Sequence, residues 1–265
     1  MNVGESHSLI INADDFGMNT SVNNAILKSI MDGLVTTTTI LVNLEGFEEA
    51  CTIAEKNRLR DRVGLHINLT EGEPVTAAMK KCPLFCGPEG SYVFRKNEKR
   101  IFWLDSECKC LVFNEINAQI RKCRKAGIPI RHADSHNHIH EEPGMIGVVM
   151  EVLKKNDIPY LRRVRDMRYH SSFVKRAFRI FYNRMIEMNG LSGVDYFGDV
   201  GEYLNARKKG FLKNEAVLEL MVHPGEVVSG KITDHCTFEN LTDLINGQLS
   251  GQRKITYYDL RKARW

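Results

Sequence analysis

Residues 9–15 read LIINADD, an apolar run that ends in two adjacent carboxylates. Two later apolar runs also end in polar groups: residues 128–133 lead into DSHNHIH at 134–140, and residues 218–222 lead into His223. Short apolar runs of this kind predict buried strands. Because the carboxyl ends of parallel strands lie along one edge of a sheet, we expect the three polar endings to share one pocket.

Strand-like runs alternate with helical patterns along most of the chain, which is typical of βαβ units around a parallel sheet. After residues 9–13, the predicted strands are 35–42, 62–69, 128–133, 160–164 and 217–222. The predicted helices are 22–31, 47–57, 110–126, 145–155, 171–188 and 238–248. The pattern predicts an α/β fold, and 265 residues suit either one α/β barrel or two smaller domains.

The stretch from residue 71 to residue 107 interrupts this alternation with several prolines and glycines. Loops this long in a compact domain are usually lids or binding loops, so we interpret it as a lid-like excursion over the pocket mouth. We expect its aromatic residues to be exposed: Tyr92, Phe94, Phe102 and Trp103. A structural zinc site is conceivable in this region, although Cys-x-Cys is a poor chelate spacing; the candidate ligands are Cys82, Cys86, Cys108 and Cys110.

The composition argues against several kinds of partner. Lysine and arginine number 37 against 33 acidic residues, a formal net charge of +4, which predicts no nucleic-acid or anionic-membrane partner. No apolar run approaches the roughly 20 residues that cross a bilayer, and residues 1–8 lack the pattern of a secretory signal. Seven cysteines, an odd number, suit free thiols in a reduced compartment, so we expect a cytoplasmic protein.

The candidate metal ligands are Asp15, His66 and His136. Each lies at the end of a predicted strand, and two imidazoles with one carboxylate form an open-sided metal site that leaves positions for water and substrate. There is a simpler alternative for each residue type. A buried histidine is often a hydrogen-bonded core residue, and the adjacent Asp14 and Asp15 can shape a turn or cap a helix.

If the strand continues through residues 134–140, the histidines of this cluster lie too far apart for all of them to bind one ion. His136 and His140 would then lie about 13 Å apart, so a single metal would bind one or two of the histidines unless the chain turns. We therefore assign His138 and His140 to substrate binding.

The residues around the candidate metal site allow proton transfer. If Asp15 binds the ion, Asp14 can accept a proton from a water molecule that the ion acidifies. An arginine after the fifth strand would keep this base ionised; Arg162 and Arg165 are the candidates, and we select Arg165. His223 lies at a strand terminus, where it can protonate a departing amine. Together these groups describe metal-assisted hydrolysis of an amide or ester.

The chain resembles the YdjC family of carbohydrate deacetylases. The resemblance rests on five segments in family order: NADDFG at 12–17, GLVTTTT at 33–39, GLHINLT at 64–70, DSHNHIH at 134–140 and VHP at 222–224. It implies a distorted (β/α) barrel of mainly parallel strands, polysaccharide-deacetylase-like, which we expect as a single domain over residues 1–265. It also implies Asp15, His66 and His136 as metal ligands, Asp14 as the base and His223 as the acid.

The resemblance implies one divalent metal ion and a small acetylated oligosaccharide substrate, such as chitobiose, that loses its N-acetyl group. Two imidazole ligands favour zinc, whereas the family is usually described with magnesium, so both ions stay open. The family also favours a homodimer. Apolar and aromatic residues crowd the predicted helix 171–188, which suits a subunit contact as well as two-sided burial.

Two other functions are compatible with the same residues. Histidine clusters at strand ends also occur in other metal-dependent hydrolases, namely amidohydrolases and phosphoesterases. A non-catalytic protein that binds a sugar to regulate a partner is the second alternative.

Overall fold

The computed structural model of the protein describes residues 7–94, 100–167 and 173–260. The helices are α1 (Thr20–Met31), α2 (Phe47–Lys56), α3 (Ser106–Lys125), α4 (Ile146–Lys155), α5 (Phe173–Met188), α6 (Val200–Lys208) and α7 (Leu241–Gln248). The strands are β1 (Ser8–Phe16), β2 (Thr37–Ile40), β3 (Val63–Ile67), β4 (His132–Ser135), β5 (Tyr160–Leu161), β6 (Tyr196–Asp199), β7 (Val217–Val222), β8 (Pro224–Val228), β9 (Lys231–Asp234) and β10 (Arg253–Lys254).

The chain forms two compact units. The first contains the described residues of Met1–Asp14, Ser21–Thr38 and Arg162–Trp265, and the second those of Asp15–Thr20 and Thr39–Leu161. β1 and β2 therefore each contribute residues to both units. The single domain over residues 1–265 stays a prediction.

In the first unit, β1 lies between β2 and β7, and β6 follows on the far side of β7. β1 pairs in parallel with β7, with Ile11 opposite Leu220, and β6 pairs in parallel with β7, with Phe197 opposite Glu219. Leu9, Ile10 and Ile11 are fully buried. A strand buried on both faces is apolar at successive positions, which is why residues 9–11 form one unbroken hydrophobic run.

In the second unit, β3, β4 and β5 are parallel neighbours, with Leu65 opposite Ala133 and Ala133 opposite Leu161. The helix α3 packs against β3 and α4. Its apolar positions recur at helical spacing and are buried: Val112, Ile116, Ile120 and Cys123. Asp105 caps the helix by accepting a hydrogen bond from the Cys108 backbone N–H. The predicted α/β class with mainly parallel strands is confirmed.

Most predicted elements occur near their expected positions, but β4 is displaced. The prediction of a strand over residues 128–133 is wrong, because the strand covers His132–Ser135 instead. Pro129 has no N–H to donate to a neighbouring strand, so the apolar residues before His132 do not join the sheet. The sequence interpretation also missed β6, α6 and the antiparallel β8–β9 hairpin, all of which are short.

Part of the segment from residue 71 to residue 107 packs its aromatic side chains into a small core. Phe94 is buried with its ring 5.7 Å from that of Phe85, and Tyr92 is buried as well, so the prediction that both Tyr92 and Phe94 are exposed is wrong. Phe102 and Trp103 are exposed as expected, at 71% and 73%. The lid-like role of the segment stays a prediction.

The four candidate zinc ligands lie in this segment and at the start of α3. Cys82 Sγ lies 3.5 Å from Cys108 Sγ, and the Cys86 thiol donates to the Met79 carbonyl. Across the described ranges, no potential metal-binding group includes any of these cysteines. Among the helices that the structure describes, none combines the length and hydrophobicity needed to cross a membrane.

Glu115 fixes the start of the same segment to α3. Its buried carboxylate accepts hydrogen bonds from the backbone N–H groups of Val75 and Thr76, at 2.8 Å each, and from the Thr76 hydroxyl at 2.7 Å. Three donors of one loop therefore depend on a single side chain.

We predict that Glu115→Ala lowers the free energy of unfolding by about 2–4 kcal/mol, because partly buried donors lose their acceptor. Urea denaturation measures this loss. Glu107→Ala, an exposed position on the same helix, is the control and is expected to cost below about 1 kcal/mol. Equal losses in the two variants would contradict the anchoring role of Glu115.

Candidate active site

In the second unit, the ends of β1, β3 and β4 bring together Asp15, His66 and His136. His66 Nε2 lies 3.2 Å and His136 Nδ1 lies 2.9 Å from the same atom, Asp15 Oδ1. One ligand atom from each residue lies within 4.8 Å of the others, and all three side chains are buried. Residues from three separate parts of the sequence therefore present a carboxylate and two imidazoles to one point.

Each imidazole of this cluster, which we call the metal triad, contacts a second carboxylate through its other nitrogen. His66 Nδ1 lies 2.6 Å from Asp134 Oδ1, and His136 Nε2 lies 2.9 Å from Glu71 Oε2. The Thr39 hydroxyl donates to Asp134 at 3.0 Å. Outer carboxylates of this kind fix the tautomer and orientation of metal-binding histidines.

The carboxylates also favour positive charge at His136. Burial would lower the pKa of this imidazole, but its hydrogen bonds to Asp15 and Glu71 outweigh burial and raise the pKa above the ordinary value. The surroundings therefore stabilise a cation at this position, either a proton on the ring or a metal ion beside it.

The chain turns sharply after β4, so the four polar residues of the histidine cluster do not share one face of a strand. A 3-10 helix covers His136–Glu141, and Asn137 and His138 adopt left-handed backbone conformations with φ of 52° and 51°. His140 is fully buried, with its Nδ1 2.5 Å from the Ser135 hydroxyl oxygen. This burial argues against the predicted substrate contact of His140; the substrate contact of partly exposed His138 stays a prediction.

In the first unit, Asp14 is held by Arg162. The guanidinium donates two hydrogen bonds to the carboxylate, from Nη1 to Oδ2 at 2.6 Å and from Nη2 to Oδ1 at 2.7 Å. The Asn12 amide adds a third at 2.8 Å. Asp14 and Arg162 are both buried, so the paired guanidinium supplies the stabilisation that bulk solvent gives to an exposed carboxylate.

Arg162 also binds a second buried acid. Its Nε donates to Glu219 Oε1 at 2.7 Å, and the Tyr257 hydroxyl donates to Glu219 Oε2 at 2.6 Å. Sequence reasoning missed Glu219 and Tyr257. A signal for Glu219 was present, because it is the single charged residue inside the apolar run 217–222, where burial without a partner would be costly.

The selection of Arg165 as the arginine beside Asp14 is corrected to Arg162. Arg165 Nη1 lies 3.2 Å from Asp199 Oδ2 and 3.4 Å from Glu202 Oε1, two acidic residues at the start of α6. The predicted strand 160–164 ends earlier than expected, at Leu161, so Arg162 is the first residue after β5. The amino-acid sequence contains no signal that β5 ends after two residues.

His223 lies between Asp14 and Asp234. Its Nε2 is 3.9 Å from Asp14 Oδ2, and its Nδ1 is 3.8 Å from Asp234 Oδ2. Burial would raise the pKa of Asp234, but the hydrogen bonds and charge of His223 and the backbone N–H groups lower it below the ordinary value. Asp234 is therefore a fixed anion beside His223.

Cys236 is a further chemical group near His223 that sequence reasoning missed. Burial would raise the pKa of its thiol, but hydrogen bonds and the charges of His223 and His235 outweigh burial and lower the pKa to about 7. The cysteine is exposed. No sequence signal pointed to it, because His223 and Cys236 approach each other only through the β8–β9 hairpin.

An open cleft of about 640 Å³ lies in the second unit. Glu71, whose carboxylate contacts His136, is one of its lining residues. The other polar residues of the lining are Asn19, Asn43, Glu45 and Glu73. The cleft therefore reaches the outer side of the metal triad and offers hydrogen-bonding groups to a polar ligand.

Comparison with known proteins places these clusters in a family context. The model of a family described as YdjC-like protein matches residues 8–255. A carbohydrate deacetylase of Brevibacillus brevis is 29% identical over 225 residues, 85% of this chain and 84% of that protein. A carbohydrate deacetylase of Clostridium beijerinckii is 30% identical over 221 residues, 82% of this chain and 81% of that protein.

A solved structure shares the fold. The crystal structure of an Enterococcus faecalis V583 protein, whose description names cellobiose-phosphate cleavage, aligns with a TM-score of 0.72 at 22% identity. The alignment covers 96% of this chain and 99% of that chain. At this identity the similarity supports the fold alone.

We predict that Cys236 is the cysteine alkylated fastest by iodoacetamide near pH 7. Its thiol pKa of about 7 leaves about half of it as the reactive thiolate, whereas burial raises the pKa of Cys51 and Cys86 to about 11. Peptide mass spectrometry after brief labelling identifies the site. Cys236→Ser should remove the fast phase of alkylation. Cys110→Ser, a change at another exposed cysteine, is the control and should retain the fast phase. The reverse result would contradict the prediction.

Proposed function

The chain belongs to the YdjC-like protein family, and we propose that this carbohydrate deacetylase uses a divalent metal ion to remove N-acetyl groups from N-acetylglucosamine-containing oligosaccharides such as chitobiose. The observation that carries the proposal is the convergence of His66 and His136 on a single oxygen of Asp15. The family's curated relatives supply the reaction class.

The metal triad fits a divalent ion. Two imidazoles and one carboxylate are common ligands of such ions, and each imidazole is oriented by an outer carboxylate, Asp134 or Glu71. When bound, the ion would act as a Lewis acid toward the acetyl carbonyl and would lower the pKa of water. Zinc suits the imidazoles and magnesium is usual for the family, so the proposal names a divalent ion of either kind.

We assign the role of general base to Asp14. It accepts a proton from the attacking water as the water oxygen bonds to the acetyl carbonyl carbon. Arg162 holds the carboxylate in one orientation and stabilises its charge, while Glu219 and Tyr257 hold Arg162. Asp14 directly precedes the ligand Asp15 in the chain, which supports a shared reaction.

We assign the role of general acid to His223. It donates a proton to the sugar nitrogen as the C–N bond breaks, which releases acetate and a free amine. Asp234 favours the imidazolium form that this step requires, and the His223 side chain keeps 16% of its surface exposed. His223 therefore lies beside a fixed anion and is reachable from solvent.

The substrate and the assembly are further parts of the proposal. The open cleft of the second unit has a volume suited to a short oligosaccharide, and its asparagines and glutamates can bind sugar hydroxyls. A homodimer is supported by apolar side chains that α5 exposes, among them Phe173, Ile180 and Phe181. A cytoplasmic location remains an expectation from the sequence.

We expect Asp14→Asn to lower the kcat of acetate release from N,N′-diacetylchitobiose by a factor of about 10² to 10⁴, because the amide cannot accept the proton. Metal content, measured by elemental analysis, should not change. Asp32→Asn, at an exposed aspartate paired with Lys28, is the matched control and should retain full activity. Unchanged acetate release in Asp14→Asn would reject this base.

We also expect Asp134→Asn to weaken metal binding by about 10- to 100-fold, because His66 loses the carboxylate that orients it. Calorimetric titration of the metal-free protein measures the affinity. Glu71→Gln should have a smaller effect, since the Glu71 side chain is 53% exposed, and Glu73→Gln, which lines the same cleft, should have none. Equal affinity in Asp134→Asn and Glu73→Gln would argue against the metal triad.

A further inference from the structure

A second cluster of potential metal ligands lies in the first unit. One ligand atom each from His223, Asp234 and Cys236 lies within 4.8 Å of the others. His223 Nδ1 is 3.8 Å from Asp234 Oδ2, and the ring of His235 lies 5.4 Å from that of His223. An imidazole, a carboxylate and a thiol thus face one point, and a second imidazole lies beside them.

The backbone fixes this cluster before any ligand arrives. Asp234 Oδ1 accepts hydrogen bonds from the N–H groups of Cys236 and Thr237, at 2.9 Å each, and Asp234 Oδ2 accepts one from His223 N at 2.7 Å. His235 N donates to the His223 carbonyl at 2.9 Å. Two of these hydrogen bonds, His223 N to Asp234 and His235 N to the His223 carbonyl, join the two segments, and the other two fix the turn that carries Cys236.

Gly225 allows these segments to approach closely. A Cβ atom at this position would lie 2.6 Å from the Cβ of His235, closer than real contacts permit. Any other residue at position 225 would place a Cβ in this contact, so His235 or the backbone beside it would have to shift.

We propose that His223, Asp234 and Cys236 form a second, inhibitory binding site for a thiophilic divalent cation of the Zn²⁺ class. The inhibitory part rests on the proposed function, because it assumes that His223 is the general acid; the binding part does not. Thiolate and imidazole ligands together select zinc-like ions over magnesium, whereas the metal triad contains no sulfur.

Binding at this site would remove the acid. The Cys236 thiol releases its proton to solvent and the sulfur coordinates the cation together with an Asp234 oxygen and one ring nitrogen of His223. A ring nitrogen that holds a cation cannot carry a proton, so the imidazolium form of His223 is lost. Excess zinc would then slow protonation of the sugar amine without displacing the ion from the metal triad.

The binding part is tested by titrating the metal-free full chain with Co²⁺ and recording near-ultraviolet thiolate-to-cobalt charge-transfer absorption. We expect this absorption in the wild type and in Cys110→Ser and Cys108→Ser, and its loss in Cys236→Ser. His136→Ala should retain it, because the metal triad supplies no thiolate. Absence of the absorption from the wild type, or its persistence in Cys236→Ser, would overturn the proposal.

The inhibitory part is tested by adding Zn²⁺ to enzyme that already holds one equivalent of metal. With each variant compared with its own rate before zinc is added, Cys236→Ser should need at least about tenfold more zinc than the wild type for half-inhibition, because one of three ligands is lost. Equal inhibition of wild type and Cys236→Ser would overturn inhibition through this site. If the wild type released no acetate with any metal, the proposed function would be wrong. The cobalt absorption would still show whether the second cluster binds a metal ion.

Discussion

Arg162 is the buried cation on which the polar cluster of the first unit depends. Two carboxylates, Asp14 and Glu219, are buried beside it, and its guanidinium also lies 4.8 Å from the centre of the Phe197 ring. Removing one partner of a buried ion pair typically costs about 3–5 kcal/mol, because the other charge is left without compensation. The bidentate geometry therefore both permits Asp14 to be buried and fixes the direction of its oxygens before a substrate binds.

The metal triad of the second unit differs in its charge balance. Asp15, Asp134 and Glu71 surround two imidazoles, so three carboxylates exceed the positive charge that the two rings can carry. Such a group of residues stabilises an incoming cation. The two clusters thus differ in the source of their positive charge: Arg162 supplies it within the protein in the first unit, and the cluster of the second unit gains from an ion taken from solution.

The sequence predicts the parts of this arrangement that depend on local pattern. β1 begins with an unbroken apolar run and β7 is apolar except for Glu219, so the positions of both strands and the polar residues at their ends were recognisable. The turn after Ser135 was not, since left-handed conformations at Asn137 and His138 leave no clear pattern in one sequence. The choice between Arg162 and Arg165 depends on where a strand of only two residues ends. Cys236 approaches His223 only because a hairpin brings the two residues together. Tertiary contacts decide both features, and hydrophobic periodicity in the sequence does not reveal such contacts.

The backbone of Asp15 has a consequence for the recognition of distant relatives. With φ at 71°, this residue occupies a region that asparagine, aspartate and glycine adopt far more readily than other residues. Glutamate would keep the negative charge but fits the backbone poorly, and glycine or asparagine would fit the backbone but lose the charge. Conformation and chemistry together leave aspartate as the one residue type suited to position 15, so a homologous chain with a different residue there has changed its chemistry and is not a neutral variant.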